Sequence, residues 1–448
     1  MPQQFSGSTK TVSFEARLRL MKKRRVVITG MGAVTPLGLS VPETWEALKA
    51  GKSGIGPITV FEAEGFPAGI AGEVRGFSPE VFSAGDPELL EASRGTLFAV
   101  QAVREAMGQA GLAGDADLER LGLCFGTGDS GNFFPGFCSA IKHAADRADG
   151  KMNFTGYLEG ASKFLTATSE LELQPYRTLA HLARVFSAGG PVSNPMTACA
   201  ASSQAMGEAF EMIRRGDADA VISGGSHAMV YPLAVTGFSQ LTALSRRNHE
   251  PERASRPFDK NRDGFVIAEG AGAVILESEE HARARGAAIL GELCGYGSTA
   301  DAYRMTDMDP EGKGACRAVE AAMRKAELSA RDIDYINAHG TSTQVNDAIE
   351  TLVIKKVLRE NAPGVPVSSI KSMLGHMIAA AGAVELITCL LTLREGVIPP
   401  TINYQEPDPA CDLDYVPNQA RFQKVRAALS NSFGFGGQNI CLAVRRYE

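Results

Sequence analysis

The sequence predicts an α/β protein with largely parallel sheets. Short apolar runs of strand length alternate with stretches of helical apolar spacing, the pattern of βα units. Several of these runs end in glycine, and the 48 glycines point to tight turns and close backbone approaches. The chain has 448 residues, enough for one large or two medium domains with a sizeable core.

In chain order, residues 1–20 show no pattern and read as an N-terminal tail. Residues 25–30 read as a buried strand and 30–38 as a glycine-rich turn. A helix is expected near 45–50, a long helix over 89–110 and a strand over 121–126. Residues 133–148 and parts of 157–185 have helical spacing. A strand over 192–197 leads to Cys199, after which Met206, Ala209, Phe210 and Ile213 recur at helical intervals. Strands follow at 218–224, 266–276 and 288–296. The alternation then restarts: helix 314–326, strand 333–338, helix 349–358, strand 365–370, helix 379–394, strands 427–432 and 439–445.

Bulk properties exclude several classes. Apolar residues make up 44% and charged residues 21%, as in soluble globular chains. A net charge of −6 gives no argument for nucleic acid or an anionic membrane. The 8 cysteines are scattered without metal-ligand spacing and read as reduced thiols of a cytoplasmic protein. Glu15, Arg17 and Arg19 interrupt the one apolar run at the N-terminus, so no signal peptide is expected. The apolar run 377–393 contains Glu385 and is too short and mixed to span a bilayer. Two motif-like stretches are set aside. Gly30-Met-Gly32-Ala-Val-Thr35 lacks the third glycine of a dinucleotide loop. Asp259 to Gly264 opens like a calcium loop, but Lys260 and Arg262 stand among the ligands and Glu269 comes one place early. No metal site is expected.

The chemistry centres on three residues. Cys199 stands between a strand and a helix, where the helix dipole and free N–H groups favour a thiolate. His339 ends a buried strand and is followed by Thr341 and Thr343. His376 follows Lys371 and a glycine turn. Ligands gather at such strand ends in α/β sheets. One arrangement would use a histidine as base for the thiol. Another keeps both histidines neutral, each donating an N–H to a carbonyl oxygen and stabilising an enolate. The run Asn431-Ser-Phe-Gly-Phe435-Gly-Gly437 could present a further N–H to an oxyanion.

Taken together, Val-Thr-Pro-Leu-Gly38, Thr-Ala-Cys199-Ala, Arg256-Pro-Phe-Asp-Lys, Ala-His339-Gly-Thr-Ser-Thr, Lys371-Ser-Met, Gly-His376, Gly382-Ala-Val-Glu385 and Phe-Gly-Phe435-Gly-Gly437 resemble the β-ketoacyl-acyl carrier protein synthases. The resemblance runs from about Lys23 to Arg445 and looks most like the second type of the bacterial dissociated system. It implies a thiolase-like five-layer αβαβα fold of two pseudo-related halves, 21–286 with the nucleophile and 287–448 with the histidines, lysine and glycine-rich gate. The implied reaction is decarboxylative Claisen condensation of a Cys199-bound acyl chain with malonyl-acyl carrier protein, in fatty acid or polyketide-like synthesis. It further implies that His339 and His376 stabilise the enolate and Lys371 supports His339. Phe435 would complete the oxyanion hole and act as a gate. Thr341 and Thr343 would contact the pantetheine arm, with Asp347, Glu350 and Glu385 supporting from behind. No cofactor is implied, since substrates arrive on a carrier protein's phosphopantetheine arm. The expected partners are an acyl carrier protein and a second subunit, in a homodimer or a heterodimer. The alternative is a non-catalytic chain-length subunit; a thiolase would need a second active-site cysteine, for which Cys441 is poorly placed.

Departures from the family pattern fall on the acyl pocket and the entrance. Asp129 stands where an isoleucine usually lines the tunnel, so it is expected to be paired or to face a polar substrate. The stretch 151–190 does not follow the family. Leu374, Arg304, Gln438 and Thr242 replace threonine, histidine, threonine and arginine, and Glu88 and Glu91 stand where positive charge is usual.

Overall fold

The computed structural model describes residues 24–80, 86–112, 118–128, 134–145 and 151–448. The tail 1–20 and Asp129 lie outside the described residues. Among those described, ten strands form one mixed sheet: β1 Val26–Val34, β2 Leu121–Gly126, β3 Val192–Ser193, β4 Ala220–His227, β5 Gly270–Ser278, β6 Gly291–Ala300, β7 Tyr335–Asn337, β8 Val367–Ser368, β9 Ala427–Gly434 and β10 Gln438–Arg445. Their order is β8-β7-β9-β10-β6-β1-β5-β4-β2-β3. Read outward from the centre, β1-β5-β4-β2-β3 on one side is matched by β6-β10-β9-β7-β8 on the other. The two halves therefore share one topology, joined where Val26–Ile28 of β1 pairs antiparallel with β6.

Five helices complete the layers: α1 Arg94–Ala110, α2 Ala201–Arg215, α3 Lys313–Ala326, α4 Gln344–Leu358 and α5 Ala381–Glu395. α1 covers β1 and β5 from outside; α3 covers β6 and β10. α2 and α5 lie between the half-sheets and touch both. Every residue of α5 from Ala381 to Leu393 is buried, which explains why the run 377–393 is apolar on all sides.

Two expectations need correction. The sheet is not largely parallel. β1–β5, β4–β5, β6–β10, β9–β10 and β1–β6 are antiparallel, and parallel pairs are confined to the flanks. β9 enters β10 through a tight turn, and β4 reaches β5 through a connection that carries helix Pro232–Gln240 but returns antiparallel; only a crossover makes neighbours parallel. The glycine-rich turn expected from Gly30 is instead the second half of β1. A Cβ on Gly30 would lie 2.0 Å from the Ala106 carbonyl oxygen, and one on Gly32 1.9 Å from that of Ala102. The glycines let α1 lie on the strand. The second half repeats this at Gly295 and Gly297 against Ala322 and Ala318 of α3, with 2.2 and 1.9 Å.

Helix starts are locally encoded. The side chain of Ser93 caps α1, dividing the expected 89–110 helix, and Thr343 caps α4. The family-divergent stretch 151–190 contains helices Phe154–Phe164, Ala167–Glu172 and Tyr176–Phe186. Within it, Glu172 is buried and accepts Arg177 Nη2 at 2.6 Å and faces His181 Nε2 at 3.0 Å.

Candidate active site

β3 ends at Ser193, and the chain runs extended to Ala198, which takes a positive φ of 48° before α2 begins. The corresponding place in the second half is Ile378, φ 44°, before α5. Neither is glycine, and such strain is held only where surrounding structure enforces it. It swings Cys199 and His376 into one cavity of about 270 Å³, also lined by His339, Phe265, Phe433 and Phe435. The ligand atoms of Cys199, His339 and His376 lie within 4.8 Å of one another. The imidazole rings meet edge to face, centroids 5.4 Å apart. Phe265 packs edge-on against His376 and Phe433 against His339.

Each histidine is oriented from behind. The His339 and Gly340 N–H groups donate to the two oxygens of Glu350 at 2.9 and 2.8 Å, fixing the loop after β7. Lys371 Nζ donates to the His339 carbonyl at 2.6 Å and lies 3.3 Å from His339 Nδ1, while its third partner is Glu385. His376 Nδ1 accepts the Ile378 N–H at 3.2 Å. A ring nitrogen that accepts carries no proton, so both rings hold their proton on Nε2. Burial first, then the Lys371 charge, pushes both histidines well below their usual pKa. His227, at the end of β4, adds to the effect at His376. The pair is thus neutral and presents Nε2–H donors. A Cys-His-His cluster of this spacing could suit a soft metal in principle, but a ligating Nε2 needs its lone pair, and here that nitrogen carries the proton.

The cysteine departs from expectation. Burial pushes the Cys199 thiol up to about 11; the Phe435 N–H and the Lys371 charge oppose that rise. The resting group is a thiol. The N–H groups of Phe435 and of Cys199 itself both address Sγ. Phe435 sits in the β9–β10 turn, where Gly436 and Gly437 have φ of 85° and 74°. That turn is tied down by the segment around Arg304, which the sequence flagged only as a departure from the family pattern. Gly436 N–H donates to the Met305 carbonyl at 2.6 Å, and Asp301 N–H to the Gly437 carbonyl at 2.9 Å.

Of the remaining expected residues, Thr341 and Thr343 line the cavity with hydroxyls 2.9 Å apart. Glu385 contacts Lys371 as expected. Asp347 acts further out, accepting the Phe258 N–H at 2.8 Å and facing Arg262 at 3.6 Å. That pairing accounts for the calcium-like stretch: Arg262 is buried in it, and Asp259 accepts the N–H groups of Gln405 and Glu406. Arg304 pairs with Asp307 at 3.1 Å, and Glu88 with Arg184 at 3.0 Å. Sequence reasoning missed Phe265, Phe433 and His227, whose only signal was an apolar or glycine-flanked strand end.

A buried thiol facing two neutral N–H donors, at the junction of two like halves, defines a thiol-dependent acyl-handling enzyme of thiolase-like fold. The chain matches the model of the β-ketoacyl synthase N-terminal domain over residues 23–282 and that of the C-terminal domain over 290–405. It belongs to the β-ketoacyl synthase family and is a condensing acyltransferase. It is 41% identical to the 3-oxoacyl-[acyl-carrier-protein] synthase 2 of Synechocystis, covering 96% of this chain and 99% of that one. The protein of the same name from Coxiella burnetii is 42% identical, with 95% and 99% covered. Among solved structures, a type II polyketide ketosynthase in complex with its acyl-carrier protein has a TM-score of 0.84 at 37% identity, covering 95% of this chain and 100% of that one. A β-ketoacyl synthase from Burkholderia phymatum has 0.83 at 34%, with the same coverage.

Proposed function

We propose that this protein elongates carrier-bound acyl chains by decarboxylative condensation, in fatty acid or polyketide-like synthesis. Cys199 Sγ attacks the thioester of an acyl-carrier. The Sγ–carbonyl bond forms, the carbonyl–pantetheine sulfur bond breaks, and the thiol proton leaves on the departing sulfur. With both histidines presenting Nε2–H, neither is a ready base, so this transfer needs no third group. The Cys199 and Phe435 N–H groups hold the oxyanion. Malonyl-carrier then enters along Thr341 and Thr343. His339 and His376 donate to its thioester oxygen while the carboxylate leaves as CO2. The enolate carbon attacks the Cys199 thioester carbonyl, the carbonyl–Sγ bond breaks, Cys199 leaves as a thiolate that takes a proton from water, and the β-ketoacyl chain departs on the carrier. Decarboxylation supplies the carbanion, so the residues in place suffice without a redox cofactor or metal. The single observation that carries this reading is the thiol between two pairs of donors, backbone on one side and imidazole on the other. A chain-length subunit without catalysis would have no use for that set.

The partner in this reading is an acyl carrier protein, as in the solved ketosynthase complex. The second subunit docks at the open edge of β3, and a homodimer is the simplest form. The place of action is the cytoplasm, consistent with all eight cysteines being free and with no described helix long and apolar enough to cross a membrane. The deciding experiment exposes the protein to a panel of acyl-carriers and reads intact mass. An acyl mass on the protein that vanishes in Cys199→Ala, together with a β-ketoacyl-carrier product on adding malonyl-carrier, supports the reading. Unchanged condensation by Cys199→Ala overturns it.

A further inference from the structure

All four backbone polar groups of His339 and Gly340 are held from behind. Their N–H groups go to Glu350, and the His339 carbonyl goes to Lys371 Nζ. The last of them, the Gly340 carbonyl, accepts the Ser369 hydroxyl at 2.7 Å. Ser369 is wholly buried and follows β8 directly. It is itself fixed on both sides: its N–H donates to Thr401 Oγ1 at 3.0 Å, and its carbonyl accepts the Ser372 hydroxyl at 2.8 Å. Two residues on, the Lys371 carbonyl accepts the Ser255 hydroxyl at 2.7 Å. Gly340 has a φ of 40°, and a Cβ there would lie 2.5 Å from Ser369 Cβ. The segment bearing His339 and the segment bearing Lys371 therefore meet at Ser369 with no room between them. Their spacing matters chemically. Lys371 Nζ lies 3.3 Å from His339 Nδ1 on a flexible stem, so the backbones it bridges set that distance. An ammonium only donates, so while it faces Nδ1 that nitrogen accepts and the ring proton stays on Nε2.

We propose that Ser369 is a positioning residue for the histidine-dependent step. Its hydroxyl ties the Gly340 carbonyl to the segment that carries Lys371. That tie keeps Lys371 against His339 Nδ1, and so keeps the His339 Nε2–H available to the thioester oxygen. The inference rests on the condensing reaction proposed above. Acylation of Cys199 draws on backbone N–H groups that this tie does not touch; decarboxylation draws on the histidines.

The test measures the two partial reactions separately in the full-length protein: Cys199 acylation from acyl-carrier, and CO2 release from malonyl-carrier. Ser369→Ala is expected to lower kcat for CO2 release about tenfold, as for one buried carbonyl left without its donor. KM for malonyl-carrier stays unchanged and acylation stays within about twofold, which also serves as the folding control. Gly340→Ala presses the same two segments apart from the other side and should show the same split. An active parent whose Ser369→Ala form decarboxylates normally, or loses both partial reactions in equal proportion, overturns the inference alone. Should Ser369→Ala fail to fold, a folded Gly340→Ala with normal CO2 release overturns it equally. A parent inert in both partial reactions overturns the proposed function and this inference with it.

Discussion

Cys199 and Glu350 are both buried ionisable groups, and burial acts on them in the same sense, disfavouring the anion of each. For Cys199, a thiol raised to about 11 is slow to become the nucleophilic thiolate. The alkylation rate with iodoacetamide should therefore keep rising well above pH 9, and a plateau below pH 9 would contradict the geometry. Glu350 has two backbone N–H donors and Asn431, yet burial raises it to about 7, above the unfolded carboxyl near 4.5. The folded state thus binds its proton more tightly than the unfolded state. Between about pH 4.5 and 7 this lowers stability as pH rises, by on the order of 3 kcal/mol. Glu350→Gln removes that slope, so comparing urea midpoints of parent and variant at pH 5 and pH 7.5 should isolate it. The variant should also lose activity, because the His339 and Gly340 N–H groups donate to different oxygens of Glu350, and in glutamine one of these becomes an NH2 donor facing an N–H.

At the scale of elements, the close approach of α1 to β1 makes a sharp prediction. Gly32→Ala drives a methyl into the Ala102 carbonyl, and Gly297→Ala does the same at Ala318. Each should cost about 3 kcal/mol or more, at the upper end for overpacking, and similarly in the two halves. Urea unfolding measures both; a loss in one half only would deny their equivalence. These glycines also show what the sequence could and could not display. The apolar runs at 121–126 and 427–432, and the helix spacing at 314–326, reappear as β2, β9 and α3 nearly in place, because each buries the face its pattern marks. Gly30 and Gly32 read as a turn because a glycine needed for helix contact looks the same in sequence as one needed for a bend. The candidate catalytic side chains stood out because Cys199, His339 and His376 each follow within a few residues of a strand-like run in the sequence. The Ser203–Ser432 contact and the Met305–Gly436 tie could not, since they join residues more than a hundred positions apart with no periodic signal. The thiol's protonation was misjudged for a related reason. A helix start is local and legible, whereas burial by segments distant in the chain is not.

The whole molecule places its site where two like halves meet, with Cys199 from one and His339, Lys371, His376 and Phe435 from the other. Equivalence of the halves also exposes a difference at the two ends of the sheet. The edge strand β8 is buried, and its Val367 N–H donates to the Asp414 carbonyl at 2.8 Å. Among the described residues the equivalent edge β3 has no such cover: Val192 is 53% exposed and Met196, just beyond it, 60%. An open edge with exposed apolar residues is a template for strand pairing, and monomeric proteins guard such edges with charge or a covering segment. Among the described residues the guard is present in one half and not in the other, which fits an edge covered by a second subunit. Light scattering behind size exclusion should give twice the chain mass for the purified protein. Val192→Asp combined with Met196→Glu should shift it to single-chain mass, because charge on the edge opposes pairing. Both cores lie inside the chain, so that monomer should keep its far-ultraviolet circular dichroism. A parent that runs as a monomer alone but associates with a second, different synthase subunit would assign the edge to a heterodimer. A double variant that remains dimeric would move the interface elsewhere on the surface.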